Sequence, residues 1–367
     1  MNDHSTLFQT LINQLNMAKE KLLSIIIPSY NMEALLPRCL DSLIVESEQM
    51  EWLDVMIVND GSKDSTSAIG HEYAQKYPDT IRVIDKQNGH YGSCINAALP
   101  VALGKYIRIL DADDYFDNAV FRQYLDQLKN VDVDVVVTDY NMVDAQGQIV
   151  SRMVYDILEH GQVITIQDEK LAVMMMHGLT YRTDHLRRIH YKQTEGILYT
   201  DSEWSFIPLL DAETLCYFKL SVYQYLVDRE GQSMSKQQEQ KNYPHRLKVL
   251  RNMLMAYLGD HRNSNTINAW MTIRNYFINI YMIAIVKGSN HKENQQLVRT
   301  LDEELKSLCP DLYESLGDYA VNIFGTKYRV IDQWRKHKMM NTTLLHQLVR
   351  IDNIFLTFKF KLKKLLK

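Results

Sequence analysis

Short apolar runs that alternate with helical patterns constrain the fold of this 367-residue chain more than any other feature. Four of these runs are typical of strands buried on both faces: Leu22–Ile27, Val55–Val58, Ile81–Ile84 and Tyr106–Leu110. The segments between them, residues 33–47, 64–77 and 92–104, have apolar residues at the spacing of a helix. Strand, helix and strand in repetition predict right-handed crossovers and an α/β fold, with a mostly parallel sheet flanked by helices.

The strand pattern covers only part of the chain. Two further strands are predicted at residues 131–138 and 215–220, and after about residue 240 amphipathic helical patterns continue to Leu348. We therefore expect an α/β domain in residues 1–240. Residues 241–367 are expected to form a helical C-terminal region with a basic amphipathic tail.

Composition excludes several classes of protein. The net charge is −4, whereas a general nucleic-acid binder needs clustered Lys and Arg, and the basic cluster of this chain lies at its C-terminus. No apolar segment reaches the roughly 18–20 residues of a membrane span, and the N-terminus does not have the pattern of a secretion signal. The four cysteines are far apart, which fits a reducing cytoplasm: Cys39, Cys94, Cys216 and Cys309.

Polar segments follow the four predicted strands at the point where each strand ends. They are PSYN, NDGSKDST, DKQNGHYGS and DADD. Turns and helix caps use the same residue types, so each segment alone has a structural explanation. In open parallel sheets, however, ligands bind beyond the carboxyl ends of the strands, and four such segments would meet in one crevice.

The DADD segment carries the clearest chemistry. Asp111 and Asp113 are two residues apart, so both side chains start from the same side of the chain and could face a divalent cation. Mg²⁺ and Mn²⁺ accept few protein carboxylates and fill other positions with substrate phosphates. The alternative is that Asp113 or Asp114 caps a helix beginning near Asn118. EF-hand, P-loop and GxGxxG patterns are absent.

In this order, PSYN, VNDGSKDST, QNGHYGSCIN and GKYIRILDADD resemble the nucleotide-sugar-binding half of a family 2 glycosyltransferase of the GT-A fold. HGLTYRTDHL, GILYTDSEWSF and YQYLVDREGQSMS extend the resemblance to about residue 235. The resemblance implies a catalytic domain in residues 1–240, with a donor half in residues 22–115 and an acceptor half in residues 116–240. It implies an inverting enzyme that uses Mn²⁺ or Mg²⁺.

The implied reaction moves a hexose or N-acetylhexosamine from a UDP-sugar to a glycan or lipid-linked acceptor in cell-envelope or capsular polysaccharide synthesis. In the family, Asp60 would accept a hydrogen bond from uracil, Asp111 would contact the ribose or donor sugar, and Asp113 would ligate the metal with Asp111 as a second candidate. The complete implied nucleotide-sugar set is Pro28, Ser29, Tyr30, Asn31, Glu33, Asp60, Gly61, Ser62, Asn88, Gly89, Asn96, Asp111, Ala112, Asp113, Arg229, Ser233 and Ser235.

Asp201 in LYTDSEW matches the position of the general base. Direct displacement at the anomeric carbon needs one such base on the acceptor side. The structural alternative is a capping box from Thr200 to Glu203. Arg229, Ser233 and Ser235 match a loop that closes over the donor phosphates, where a cation and hydroxyl groups suit negative charge.

The chain departs from the family pattern at several positions. Thr200 stands where many members have Glu, and Ile95 stands where Arg is common. His90 and Tyr91 replace small residues, which indicates an unusual donor-sugar pocket. His177 follows three methionines that are typical of a helix core, and the sequence leaves its role open.

Two other interpretations stay open. A sugar-phosphate nucleotidyltransferase also uses paired carboxylates on such a sheet, but it would need a Gly-rich basic loop that PSYNMEALLP does not provide. The chain could also be a catalytically degenerate nucleotide-sugar-binding protein. Residues 355–367 are predicted either to lie on an anionic membrane from the cytoplasmic side or to form a solvated basic end.

Overall fold

A computed structural model describes residues 21–155, 159–167, 171, 173–227, 242–263, 266–287, 291–323 and 326–337. The chain forms two compact units, which are residues 1–230 with 260–268 and residues 231–259 with 269–367. The described strands of the first unit are β1 (Lys21–Ser29), β2 (Leu53–Asn59), β3 (Ile81–Asp85), β4 (Gly104–Ile109), β5 (Tyr115–Phe116), β6 (Val135–Val143), β7 (Ile149–Met153), β8 (Val163–Thr165), β9 (Leu179–Arg182) and β10 (Thr214–Leu226).

Helices connect these strands and cover the sheet. The described helices of the first unit are α1 (Leu36–Asp41), α2 (Ser47–Met50), α3 (Thr66–Lys76), α4 (His90–Ala98), α5 (Asn118–Leu128), α6 (Thr183–Arg188) and α7 (Asp201–Trp204). The strand order is β3-β2-β1-β4-β9-β6-β10-β5, with β7 on β6 and β8 on β10. Neighbouring strands from β3 to β4 are parallel, and so are β6 and β10. This architecture confirms the predicted α/β class with helices on both faces.

Successive residues of β1 pack on opposite faces of the sheet because side chains alternate along a strand. Ile25 and Ile27 join a buried cluster with Val55, α1 and α5, whereas Ile26 joins a second cluster with Met56, α4 and α7. Each fully buried aliphatic side chain contributes roughly 1.5–3 kcal/mol. Burial on both faces explains why these strands are continuously apolar rather than alternating.

Two predicted helices are shorter than their apolar spacing indicates. The segment at residues 33–47 forms α1, a turn, and then the start of α2. The segment at residues 92–104 ends its α-helix at Ala98 and continues as a 3₁₀ turn over Leu99–Val101. Pro100 explains this end, because proline has no N–H to continue the helical hydrogen bonding.

The later strands differ from the prediction in bounds and number. The strand predicted at residues 131–138 is β6, which begins four residues later. The backbone N–H groups of Val133 and Asp134 donate to the side chains of Tyr106 and Thr214 instead of to a neighbouring strand. The short strands β5, β7, β8 and β9 were not predicted. β9 lies antiparallel between β4 and β6, so the sheet is mixed in its second half.

The second unit is mainly helical, as predicted. Its described elements are α8 (Tyr243–Tyr257), most of α9 (Ile267–Met282), α10 (His291–Leu308), α11 (Pro310–Gly317), β11 (Val321–Ile323), β12 (Thr326–Tyr328) and α12 (Val330–His337). The hairpin of β11 and β12 corrects the expectation that strands stop near residue 240. Arg335 and Asp302 form a buried ion pair at 2.7 Å, and Tyr281 donates a hydrogen bond to the same carboxylate. Within the described ranges, no helix has both the length and the apolar character to cross a membrane.

Candidate active site

The segments after β1 and β2 are joined by reciprocal hydrogen bonds. The backbone N–H of Asn31 donates to Oγ of Ser62 at 3.0 Å, and its side-chain oxygen accepts from the N–H of Lys63 at 2.8 Å. The Glu33 carboxylate accepts a 2.9 Å bond from the N–H of Ser65. These bonds hold the PSYN and NDGSKDST segments together at the carboxyl edge of the sheet.

The residues between these bonds differ in exposure. Pro28 and Ser29 still belong to β1, and the hydroxyl of the buried Ser29 donates a hydrogen bond to the carbonyl of Ile27. Tyr30 is 42% exposed and presents its ring to solvent. Of these three predicted contacts, Tyr30 has the side chain that is open to a ligand.

Asp60 joins the second segment to the third. Its Oδ1 atom accepts a 2.6 Å bond from Nζ of Lys86 and a 2.9 Å bond from the N–H of Gly89. The side chain of Asn88 donates to the Asp60 carbonyl at 3.0 Å. Gly61 has φ +73°, and a Cβ there would lie 3.0 Å from the Asn88 nitrogen, so only glycine fits without displacement. The loops after β2 and β3 are therefore closely packed.

The DADD segment is anchored to both sides of this crevice. The Tyr91 hydroxyl donates a 2.7 Å hydrogen bond to Oδ1 of Asp111, and Arg38 on α1 donates to the carbonyl of Asp113 at 3.1 Å. Ala112 is buried between the two aspartates. The four predicted segments thus form one connected rim.

Asp114 has a structural role in this segment. Its two carboxylate oxygens accept 2.7 Å bonds from the Tyr223 hydroxyl and the Leu226 N–H. The alternative that Asp113 or Asp114 caps the following helix is wrong, because Asp117 caps α5 and accepts a hydrogen bond from the N–H of Val120. The N-cap of α5 therefore does not use the carboxylates of the DADD segment.

The carboxylates at this rim repel one another. Burial and then the charge of Asp113 raise the pKa of Asp111, and the charge of Asp201 adds to this increase. Burial, followed by the charges of Asp113 and Asp111, raises the pKa of Asp114 well above its usual range. A divalent cation would relieve this repulsion, so the donor set fits the metal implied by the family resemblance. Asp201, the predicted base, is thus near enough to the DADD segment for its charge to act on Asp111.

His177 lies beside the same carboxylates. One of its ring nitrogens, one oxygen of Asp111 and one oxygen of Asp114 all lie within 4.8 Å of one another. His177 is 8% exposed, and its Nδ1 atom has no hydrogen-bond partner among the described residues. The sequence left this histidine without a role because the methionines before it resemble core residues.

The surroundings of His177 keep its ring neutral and in place. The ring packs against Tyr140, Tyr223 and Tyr225 at centroid distances of 5.0, 4.9 and 4.5 Å. Its carbonyl accepts a hydrogen bond from the fully buried Arg108. Burial and the charge of Arg108 lower the pKa of His177 to about 3. The imidazole is therefore neutral, which is the form of histidine that binds metal ions.

Asp201 begins the short helix α7. The capping box predicted for this turn is not formed, because the Thr200 side chain makes no cap bond. The Glu203 carboxylate instead accepts 2.8 Å bonds from the N–H and hydroxyl of Thr194. Tyr199, two residues before Asp201, has φ +67°, a strained conformation for an aromatic residue. Strain of this kind is frequent at functional sites.

Asn96 connects α4 to the loop that precedes Asp201. Its amide donates to the Gln193 carbonyl at 2.8 Å and to Glu195 at 2.7 Å, and its oxygen accepts from the Gln193 N–H at 2.9 Å. At Gly92 a Cβ would lie 2.0 Å from the Thr194 carbonyl oxygen. The resemblance assigned Asn96 to nucleotide-sugar binding, whereas in the structure its side-chain amide bonds to the loop at residues 193–195. No pattern in the loop itself predicted the contact.

Some predicted residues cannot be placed in this site. Arg229, Ser233 and Ser235, and the tail at residues 355–367, lie outside the described residues. The described site therefore consists of the rim from Tyr30 to Asp113, together with Asp201 and His177.

Known proteins are similar to this chain in sequence. A Rickettsia prowazekii (strain Madrid E) protein called an uncharacterized glycosyltransferase is 30% identical over 255 residues, which are 56% of this chain and 78% of that protein. The minor teichoic acid biosynthesis protein GgaB of Bacillus subtilis (strain 168) is 29% identical over 216 residues, covering 57% of this chain and 23% of GgaB. The chain spans only a third or less of the length of several such curated relatives.

A solved structure shows the same fold. S. aureus TarS 1–349, crystallised with UDP-GlcNAc, superposes with a TM-score of 0.62 at 18% identity, covering 79% of this chain and 82% of that one. The family profile described as Glycosyl transferase family 2 matches residues 24–189, the part that holds the connected rim and His177. The sequence, the fold and the rim agree, and the chain belongs to glycosyl transferase family 2.

Proposed function

We propose that the chain is a metal-dependent inverting glycosyltransferase. It transfers a hexose or N-acetylhexosamine from a UDP-sugar to a glycan or lipid-linked acceptor of a cell-envelope polymer. The observation that supports this proposal is the connected rim, in which hydrogen bonds join the strand-end segments that hold Asp60, Asp111 and Asp113, while the charge of Asp201 acts on Asp111. The similarity to a teichoic acid protein supports the polymer class, and the fold shared with a UDP-GlcNAc complex supports the donor class.

The nucleotide would bind at Asp60. Lys86 and Gly89 both bond to Oδ1 of this carboxylate, and Oδ2 has no hydrogen-bond partner among the described residues. An ionised carboxylate only accepts hydrogen bonds, so Oδ2 would accept the uracil N–H. Tyr30, with its exposed ring, would border the base.

Asp111 and Asp113 would hold Mn²⁺ or Mg²⁺. When bound, such a cation stabilises the negative charge that develops on the leaving diphosphate. The mutual repulsion of the carboxylates supports this assignment, because a cation would offset it.

Asp201 would act as the general base. Its carboxylate would take the proton from an acceptor hydroxyl, whose oxygen forms a bond to the anomeric carbon while the bond from that carbon to the diphosphate oxygen breaks. Attack from the face opposite the leaving group inverts the configuration, and UDP leaves. Arg229, Ser233 and Ser235 are proposed to cover the phosphates and exclude water, which would otherwise hydrolyse the donor.

The direct test is UDP release from several UDP-sugars, with and without Mn²⁺, in the parent and in Asp113→Asn and Asp201→Asn. We expect the first substitution to weaken metal-dependent donor binding and the second mainly to lower turnover. If both variants transfer sugar as well as the parent, the site assignment is wrong. If UDP binds by calorimetry but no donor yields UDP, the chain is a degenerate binding protein.

Membrane docking from the cytoplasmic side is proposed for residues 355–367. Lysines among Phe and Leu residues suit an anionic lipid surface that presents a lipid-linked acceptor. A chain without these residues should no longer sediment with anionic vesicles, and unchanged sedimentation would contradict the docking.

A further inference from the structure

We propose that His177 supplies a nitrogen ligand to the cation of the donor site and thereby makes this site prefer Mn²⁺ to Mg²⁺. The inference rests on the proposed function, because it concerns the cation that Asp111 and Asp113 would hold. It adds a ligand from outside the DADD segment.

The distances among the three side chains fit a shared cation. A ring nitrogen of His177 and one oxygen each from Asp111 and Asp114 lie within 4.8 Å of one another. Ligands on opposite sides of an octahedral cation with bonds near 2.1 Å are about 4 Å apart. Small side-chain movements would therefore bring the nitrogen and an oxygen into one coordination shell.

His177 also has a nitrogen that lacks a partner. The residue is more than nine-tenths buried, and Nδ1 has no hydrogen-bond partner among the described residues. Buried polar atoms are normally bonded, and exceptions often mark a place for an ion or water. Tilted and edge contacts with the rings of Tyr140, Tyr223 and Tyr225 hold the imidazole beside the carboxylates.

The hydrogen bonds around the cluster indicate which groups are open to a cation. Both oxygens of Asp114 already accept bonds, from Tyr223 and Leu226, so this carboxylate mainly contributes negative charge. Asp111 has one oxygen bonded to Tyr91. Of these three side chains, the groups without a hydrogen-bond partner among the described residues are thus the second oxygen of Asp111 and Nδ1 of His177, and they would join Asp113 at the cation.

This mixed donor set determines the metal preference. Sites built from carboxylate, carbonyl and water oxygens suit Mg²⁺ and Mn²⁺ alike, whereas imidazole favours transition metals. An oxygen-only site in this position would discriminate less between the two ions. The nitrogen of His177 is therefore the expected source of selectivity for Mn²⁺.

The test is pulsed EPR of Mn²⁺ bound to the full chain with UDP. Coupling of the electron spin to ³¹P reports the diphosphate at the metal, and coupling to a directly bound ¹⁴N reports His177. We expect both signals in the parent protein. His177→Phe keeps an aromatic ring among the tyrosines, and it should lose the ¹⁴N signal and weaken Mn²⁺ binding by about tenfold or more, with little effect on Mg²⁺.

His71→Phe is the matched control, since His71 is an exposed histidine bonded to Asp85, and it should leave both signals unchanged. Thermal unfolding checks that both variants are folded. The parent spectrum decides the matter even if His177→Phe does not fold. A ³¹P signal without directly bound ¹⁴N overturns the role of His177 and leaves the proposed function intact. Absence of Mn²⁺ binding overturns the metal-dependent function and this inference together.

Discussion

The hydroxyl of Tyr91 donates a 2.7 Å hydrogen bond to Oδ1 of Asp111. This bond connects the first turn of α4 to the first carboxylate of the DADD segment. It also involves a tyrosine at a position where the family commonly has a small residue. His90, immediately before Tyr91, has φ +64°, a strained backbone conformation of the kind that is frequent at functional sites.

Tyr91→Phe should weaken metal-dependent donor binding. The aromatic ring remains, but the Asp111 carboxylate loses the hydrogen bond that it accepts from the Tyr91 hydroxyl. Hydrogen bonds to charged groups are worth roughly 1.5–3 kcal/mol. We expect the donor KM to rise about tenfold or more, with a smaller change in kcat. The matched control is Tyr73→Phe, because Tyr73 makes an equivalent 2.7 Å bond to Asp41 away from the site. Equal effects of the two substitutions on KM would contradict a positioning role for Tyr91.

Asp201→Asn and Glu203→Gln should separate catalysis from structure within α7. The first removes the proposed base, so we expect kcat to fall by about 10²–10⁴ with the donor KM nearly unchanged. The second alters a buried carboxylate that bonds to Thr194, so it should lower stability more than turnover. Steady-state kinetics and urea unfolding of both variants provide the comparison. If Glu203→Gln lost more turnover than Asp201→Asn, the assignment of Asp201 as the general base would be wrong.

Gly61→Ala should impair nucleotide binding for two reasons. The backbone of residue 61 has a positive φ, and the added Cβ would contact the backbone of Asn88. Left-handed backbone costs a non-glycine residue roughly 1–2 kcal/mol. Gly196→Ala controls for this cost, since Gly196 has φ +75° with no atom within 4 Å of an added Cβ. At Gly61 the new Cβ would also press on the Asn88 backbone. Calorimetry with UDP should show weaker binding for Gly61→Ala alone, and equal weakening in both variants would exclude the contact as the cause.

Asp85 should make stability depend on pH in the acid range. Burial raises its pKa, but hydrogen bonds from Asn59, His71 and Ser67 outweigh burial and lower the pKa below its usual value. The resulting stability is present above the unfolded pKa of about 3.9 and is lost as pH falls through the lower folded value. Asp85→Asn should therefore cost about 1 kcal/mol or less at pH 7, because the group is half exposed, and less at pH 3. Urea unfolding at both pH values measures this difference, and an equal cost at the two would contradict it.

Local sequence patterns predicted the first half of the sheet well. Strands β1 to β4 are continuous apolar runs because both of their faces are buried, and their carboxyl ends carry the polar segments that form the rim. These patterns and the family resemblance predicted Asp60, Asp111 and Asp113 as site residues, and all three belong to the segments of the rim. The short strands β5, β8 and β9 could not be predicted, since two to four residues do not establish a period.

By itself, the sequence determined the parallel strand and helix units, the polar loops at their ends and the acidic segment after β4. These features depend on residues that are neighbours along the chain. Only the tertiary structure decided that Tyr91 bonds to Asp111, that Asn96 holds the loop before Asp201, and that His177 lies beside two carboxylates. Those contacts join distant residues, and they form because β9 inserts between β4 and β6 and α4 packs against the sheet, where burial of apolar side chains selects the arrangement.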